Sequence, residues 1–288
     1  YFKFPVINEG IYRIDSTTLS KYFNLTTLNP KNLQLFIYGR EQALYIEGES
    51  DEKINTHDFI EFYGKSFIGE IDSLVYPQIK YVPNPYSGLY NDTVYAFLTI
   101  NNLTNNKRYS QETDVNYSAY AITNYFYSEK VFSGNGNYND VSEYSNKVAD
   151  PNYTQAESRT HFIYYNGDFS PNYGTLNTYT SSSQLPFHVS VSYAGATVDV
   201  RNPQGDNHAK IIYEDKNSTT QILLDTVFYG YTAAKRNFTI NPQTLGTNPS
   251  FTFQSIPTST FSNIIGLNYL SLFYPHTNNL NNLSRLTL

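Results

Sequence analysis

The stretch Glu47-Gly48-Glu49-Ser50-Asp51-Glu52-Lys53-Ile54-Asn55-Thr56-His57-Asp58 sets oxygen-bearing side chains at the spacing of a cation loop. Counted from Glu47, they fall at the first, third, fifth, ninth and twelfth places, and a β-branched apolar residue, Ile54, falls at the eighth. Calcium is a hard cation that collects several oxygens, and this alternation can turn them toward one centre. The pattern nominates Glu49, Asp51, Asp58 and, through water, Asn55 as calcium ligands, with Glu47 in the leading place, where the shorter Asp is usual. Glu52 stands where the sharp turn of such a loop usually has Gly. A solvated acidic turn between two strands has the same composition, and spacing alone leaves both readings open.

Other chemistries find less to work with. The chain has no Cys, which excludes disulfides, thiolate metal sites and Cys nucleophiles within it. His57, His161, His188, His208 and His276 are scattered, none at a spacing that converges on zinc. Gly64 to Gly69 has one residue too many for a nucleophile elbow, and Phe59 stands where a phosphate-binding loop would need Gly. No catalytic residue is nominated, and this segment is expected not to be an enzyme.

Charge narrows the partners. A net charge of −6 gives no basic footprint for nucleic acid. Lys235-Arg236, the nearest thing to a basic cluster, reads as a solvated turn. No apolar run is long enough to span a membrane. Charged residues are only 15% of the chain, so its surface must be built from Asn, Ser, Thr and Tyr. The 29 Tyr and 19 Phe favour strands, and Tyr on a strand can stack on a sugar ring, which keeps a polysaccharide among the possible ligands. With neither Met nor Cys, Tyr1 reads as a cut end, a processed start or a boundary, of an exported chain on a bacterial outer surface.

The elements that must position these residues are mostly strands. Phe2, Phe4 and Val6 alternate, as do Leu33, Leu35 and Ile37. Short β-type runs follow at 59–63, 94–100, 162–165, 187–193, 210–213, 221–224, 227–231, 238–240, 251–253 and 266–274. Asn166-Gly167, Gly195, Asn202-Pro203, Gly205-Asp206 and Asn241-Pro242 supply turns between the later ones. Asp15-Ser16 caps a short helix carrying Leu19, Tyr22 and Phe23, and a second turn is expected at Ser142 to Val148. The fold expected is mainly β: a small α+β or β module with one short helix over residues 1–85, then a jelly-roll-like antiparallel β-sandwich over 86–288. Residues 101–160 read as loop-rich, with Asn135 to Asn139 an exposed loop.

Five segments, in order, resemble the N-terminal non-catalytic region of gingipain-type cysteine peptidase proteins of Bacteroidota, which include the type IX secretion sortase. They are YFKFPVINEGIYRID (Tyr1 to Asp15), NPKNLQLFIYG (Asn29 to Gly39), YIEGESDEKINTHDFIEFYG (Tyr45 to Gly64), NPYSGLYNDTVYAFLTI (Asn84 to Ile100) and GLNYLSLFYPH (Gly266 to His276). The chain departs from that family in having no Trp and in reading SGNGNYND after Lys130-Val131-Phe132. The resemblance implies a β-rich region preceding a peptidase domain that would carry the catalytic Cys and His. It also implies an exported, surface-held protein whose partner is that domain or a secretion-system protein. A carbohydrate-binding or adhesin module is the second reading.

Overall fold

The computed structural model describes residues 1–65, 69, 76, 82–89, 91, 93–103, 105–138, 156–181, 185–199, 201–258 and 263–279. The described residues are mainly β, with 46% in strands and 8% helical. The contacts divide it into two compact units: Tyr1–Ile68 with Tyr90–Tyr120, and Gly69–Leu89 with Ala121–Leu288. The division therefore does not fall at 85/86. The strand over 94–100 belongs to the first unit, while the stretch before it belongs to the second.

Among its described residues the first unit holds seven strands: β1 (Phe2–Val6), β2 (Gly10–Asp15), β3 (Leu33–Ile37), β4 (Arg40–Gln42), β5 (Tyr45–Ile46), β6 (Phe59–Gly64) and β7 (Val94–Ile100). They form two antiparallel sheets, β1-β7-β3-β4 and β2-β6-β5. The alternating residues read from sequence supply one core: Val6, Leu33, Leu35, Ile37, Ile60, Phe62, Val94, Ala96 and Leu98. Full burial of such a side chain contributes about 1.5–3 kcal/mol. Pro5, which has no N–H for a ladder, sits on β1, an edge strand that can spare it. The helix is one turn, α1 (Ser16–Leu19), so the unit is a β module rather than α+β. Its cap is the one expected: Asp15 Oδ1 accepts from Thr18 N at 2.7 Å. Leu19 is buried beneath it and Phe23 packs on the same core, while Tyr22 faces solvent.

The second unit holds β8 (Tyr125–Ser133), β9 (Gly136–Asn137), β10 (Arg159–Ile163), β11 (Asp168–Phe169), β12 (Phe187–Gly195), β13 (Asn207–Glu214), β14 (Thr220–Phe228), β15 (Ala233–Ile240), β16 (Ser250–Ser255) and β17 (Ile265–Thr277). One sheet runs β15-β12-β17-β10-β9, the other β11-β16-β13-β14. From β10 to β17 every connection except the β13–β14 hairpin crosses from one sheet to the other, which is the jelly-roll topology. Its core is Val189 and Val191 from β12, Ile211 and Tyr213 from β13, Phe251 and Phe253 from β16, and Leu267, Leu270, Leu272 and Tyr274 from β17.

β17 organises the sandwich. It has 13 residues, nearly all buried. β12 pairs along one side, while β10 and β8 share the other, β10 at Ile265 to Leu267 and β8 at Tyr269 to Thr277. β8 lies inside the stretch expected to be loops. Its sequence, YFYSEKVFS, places Glu129 and Lys130 mid-strand and so lacks the apolar alternation that marks the others. Asn135 to Asn139 is likewise no free loop in its described part. Gly136 and Asn137 pair with β10, and Tyr138 is fully buried. The turn expected at Ser142 to Val148 lies outside the described residues.

Candidate functional site

The acidic stretch forms a compact turn between β5 and β6. Gly48 takes a left-handed conformation (φ 80°), and its missing side chain makes room for Asp58: a Cβ there would lie 2.5 Å from the Asp58 carboxylate. Asp58 is buried, and its Oδ2 accepts from Asn55 N at 2.6 Å. Asp51 Oδ1 accepts from Lys53 N at 3.0 Å, and Asp51 Oδ2 accepts from Asn55 Nδ2 at 2.9 Å. Glu47 accepts from the Tyr45 hydroxyl. Glu49 leaves this circle and pairs with Arg108, whose Nε lies 2.6 Å from its Oε1. Glu52, left-handed at φ 63°, takes Lys31 at 2.9 Å. The fold brings Asp51, Asn55 and Asp58 together through their mutual hydrogen bonds and turns Glu49 to a cation of the protein itself. Among the described residues there is no group of three or more His, Asp or Glu arranged to hold a metal. Ile54 packs into the core, as expected of the eighth place.

Arg108 was invisible from sequence. Besides Glu49 it donates to the carbonyls of Pro30, Lys31, Leu33 and Lys107, at 2.9–3.1 Å. One guanidinium thus ties the 3-10 turn at Pro30–Asn32 to the acidic turn.

The second constellation lies on the outer face of the jelly-roll sheet containing β17. There β8, β17, β12 and β15 turn alternate residues away from the core. The half of this face nearest Asn268 is covered by residues 82–89. Asn84 is only 2% exposed, and its Nδ2 lies 2.8 Å from both the Arg159 and Asn268 carbonyls and 3.0 Å from Ser133 Oγ. Asn268 in turn donates to Ser192 Oγ at 3.0 Å and accepts from Ser158 Oγ at 3.1 Å. Tyr86 packs edge-on against Tyr269 and donates its hydroxyl to Glu129 Oε1 at 2.8 Å. Burial pushes the Tyr86 phenol well above its ordinary range, so it remains a donor. Ser271 donates to the same carboxylate oxygen.

Beyond Glu129 none of the described residues of this unit is seen to cover the face as residues 82–89 do, and Phe273 and His188 are exposed. Tyr127 stacks on Phe273 with ring centroids 4.8 Å apart and planes 8° apart, and His188 lies against the other side of Phe273 at 6.3 Å. Tyr125 meets Tyr127 edge-on and stacks on Tyr179. Phe273 is 39% exposed. Polar neighbours flank the stack: Ser190 donates to Asn237 Oδ1 at 2.7 Å, and Thr239 lies opposite His188. Because these rings face one another, they offer solvent mainly edges and hydroxyls. His188 lay in the run expected at 187–193, but Tyr125 and Tyr127 lay in the strand that alternation missed. Of the other histidines, His276 is buried against Phe126, His161 is half-buried on Phe169, His208 pairs with Asp225, and His57 is exposed.

No protein-family model and no curated protein matches the chain. Among solved structures it is similar to dimeric latent PorU from Porphyromonas gingivalis, at 10% identity and a TM-score of 0.45, over 96% of this chain. It spans only 24% of that chain. It is also similar to the structure of infectious bursal disease virus Gx strain, at 8% identity and a TM-score of 0.29, over 97% of this chain and 73% of that one.

Proposed function

We propose that this chain is a non-catalytic docking region of a larger exported protein, of the gingipain-like peptidase or type IX secretion-associated kind, and that a polypeptide partner is held on the half of the jelly-roll face beyond Glu129. The observation that carries this reading is the stack Tyr127–Phe273–His188, with Phe273 and His188 exposed and Tyr127 half-buried, set beside a half of the same face that residues 82–89 already cover. Aromatic side chains with polar flanks are what protein interfaces collect at their centres. The covered half supports the same reading, since there a polypeptide segment meets this face through a Tyr–Tyr contact and hydrogen bonds to outward polar groups. The second reading, a carbohydrate-binding module, calls for ring faces open to a sugar, whereas these faces are turned to one another.

A photo-crosslinking amino acid at Tyr127, in the full-length protein in its own cells, tests the proposal. The expected result is a covalent adduct with a polypeptide, absent when the probe sits at exposed Tyr22 in the other unit. Retention of the purified chain on a polysaccharide matrix, abolished by Phe273→Ala, would favour the carbohydrate reading instead.

A further inference from the structure

A β-sheet edge carries a row of unpaired backbone N–H and C=O groups, and proteins guard such edges with Lys, Pro, shortness or cover. Most of the described edges here are guarded in those ways, and β14 is the longest that is not. β1 carries Lys3 and Pro5, β8 carries Lys130, and β15 carries Lys235 and Arg236, while the six-residue β2 carries Arg13, itself drawn back to Glu61 of β6. β4, β5, β9 and β11 have two or three residues each. β14 is nine residues long, pairs among the described residues with β13 alone, and contains no Lys, Arg or Pro. Ile222 and Val227 on it are 55% and 52% exposed. A register shift between Ile211 and Ile212 leaves Leu223 as an extra residue on β14, which interrupts the strand near its start and leaves the run from Leu224 to Phe228 regular.

The one charge on β14 does not guard it. Asp225 is drawn back over its own sheet: its Oδ1 lies 2.5 Å from His208 Nε2 and its Oδ2 3.8 Å from Lys210 Nζ, both on β13. The hydrogen bond to His208, with Lys210 adding to it, holds this carboxyl below its ordinary range. A second strand approaching the edge therefore meets a charge already offset.

We propose that β14 pairs with β14 of a second copy of this chain, antiparallel about Thr226, joining two four-stranded sheets into one of eight. The pattern of the strand suits its own reverse. Leu224, Thr226 and Phe228 lie opposite the buried Ile211, Ala209 and Asn207 of β13, and Leu224 and Phe228 pack on the inner clusters, while Asp225 and Val227 turn outward. Pairing about Thr226 sets Leu224 against the partner's Phe228 on the inner side and Thr226 against its own counterpart, both favourable cross-strand pairs. On the outer side it sets Asp225 against the partner's Val227. Such an interface is isologous and closes on itself, so association stops at two.

The chain has no Cys, which allows a clean test with Thr226→Cys in the whole chain. Directly opposed residues of an antiparallel pair bring their Cβ atoms within reach of a disulfide. Mild oxidation is expected to give a covalent dimer with Thr226→Cys and none with Ser118→Cys, an exposed control in the first unit. Light scattering is expected to give a two-chain mass for the wild type. Val227→Asp, which faces two pairs of like charges, is expected to weaken that dimer at least tenfold, while Val227→Lys retains it. A single-chain mass at all concentrations with no disulfide from Thr226→Cys overturns the proposal. So does a dimer that Val227→Asp leaves intact and Thr226→Cys does not cross-link. Circular dichroism of each variant separates loss of pairing from loss of fold.

Discussion

Arg108 Nε and Glu49 Oε1 lie 2.6 Å apart, although 59 residues separate them in sequence. Both side chains are largely withdrawn from solvent, and the remaining guanidinium N–H groups are taken by four carbonyls. Arg108→Met leaves those carbonyls and a carboxylate short of a donor. Its cost is expected to be about 2–3 kcal/mol, the scale of hydrogen bonds to a charged group. Arg108→Lys restores the charge but not the fork, and is expected to recover less than half of that. Urea denaturation of the three proteins measures both values, and an Arg108→Met midpoint equal to wild type would refute the role.

The same pair bears on calcium. An ion drawing on Glu49 must compete with Arg108, and one drawing on Asp51 and Asp58 must displace the Asn55 bonds. Native-state binding raises stability with ligand concentration. Millimolar calcium is therefore expected to raise the melting temperature of Arg108→Met more than that of the wild type. Equal, large rises in both, removed by Asp51→Ala, would show that Arg108 is no competitor.

Asn84 is expected to be the most sensitive polar residue of the jelly-roll unit. Asn84→Ala removes the donors that reach Arg159, Asn268 and Ser133, at a cost of about 2–3 kcal/mol. Asn84→Asp is expected to be worse, because a carboxylate offers only acceptors to carbonyls that need a donor. Thermal unfolding checks the order, and Asp tolerated better than Ala would contradict it.

His161 gives a pH dependence with a definite sign. Burial holds its pKa below the ordinary 6.5. As pH falls through that value the unfolded chain takes up a proton that the folded chain refuses. The stability that neutral His161 contributes is thus full above 6.5 and declines below it. The melting temperature is expected to fall more steeply from about pH 7.5 to about 5.5 in the wild type than in His161→Phe. That variant keeps an aromatic ring against Phe132 and Phe169. Parallel profiles would remove His161 from the account.

Residues 109–124 are exposed throughout. Chymotrypsin is expected to cut first at Tyr117 or Tyr120. The two fragments should co-elute on gel filtration without denaturant, because residues 82–89 of the first are held inside the unit formed by the second. Separate elution would contradict that anchoring.

What was legible in the sequence was whatever is local. Alternation at Leu33, Leu35 and Ile37 gave β3, Asp15 gave a helix cap, and the spacing of short runs after residue 160 gave a sandwich. β14 was read as two runs broken near Asp225, since a charge mid-run resembles a turn until His208 and Lys210 are seen beside it. β8 was missed because its strand character comes from β17, about 140 residues away. Asn84 opened one of the segments that carry the resemblance but gave no sign of its burial: one of its partners is 184 residues distant, and an Asn before Pro reads as a turn.

The place of residues 82–89 in the second unit also bears on how this gene can be divided. Neither unit corresponds to one uninterrupted stretch of codons, because the first is broken at 68 and resumes at 90. A fragment starting at 121 lacks Asn84 and Tyr86, and so exposes Asn268 and Tyr269 that the whole chain covers. A cut before 90 takes β7 from the first unit, and a cut after 89 takes Asn84 and Tyr86 from the second.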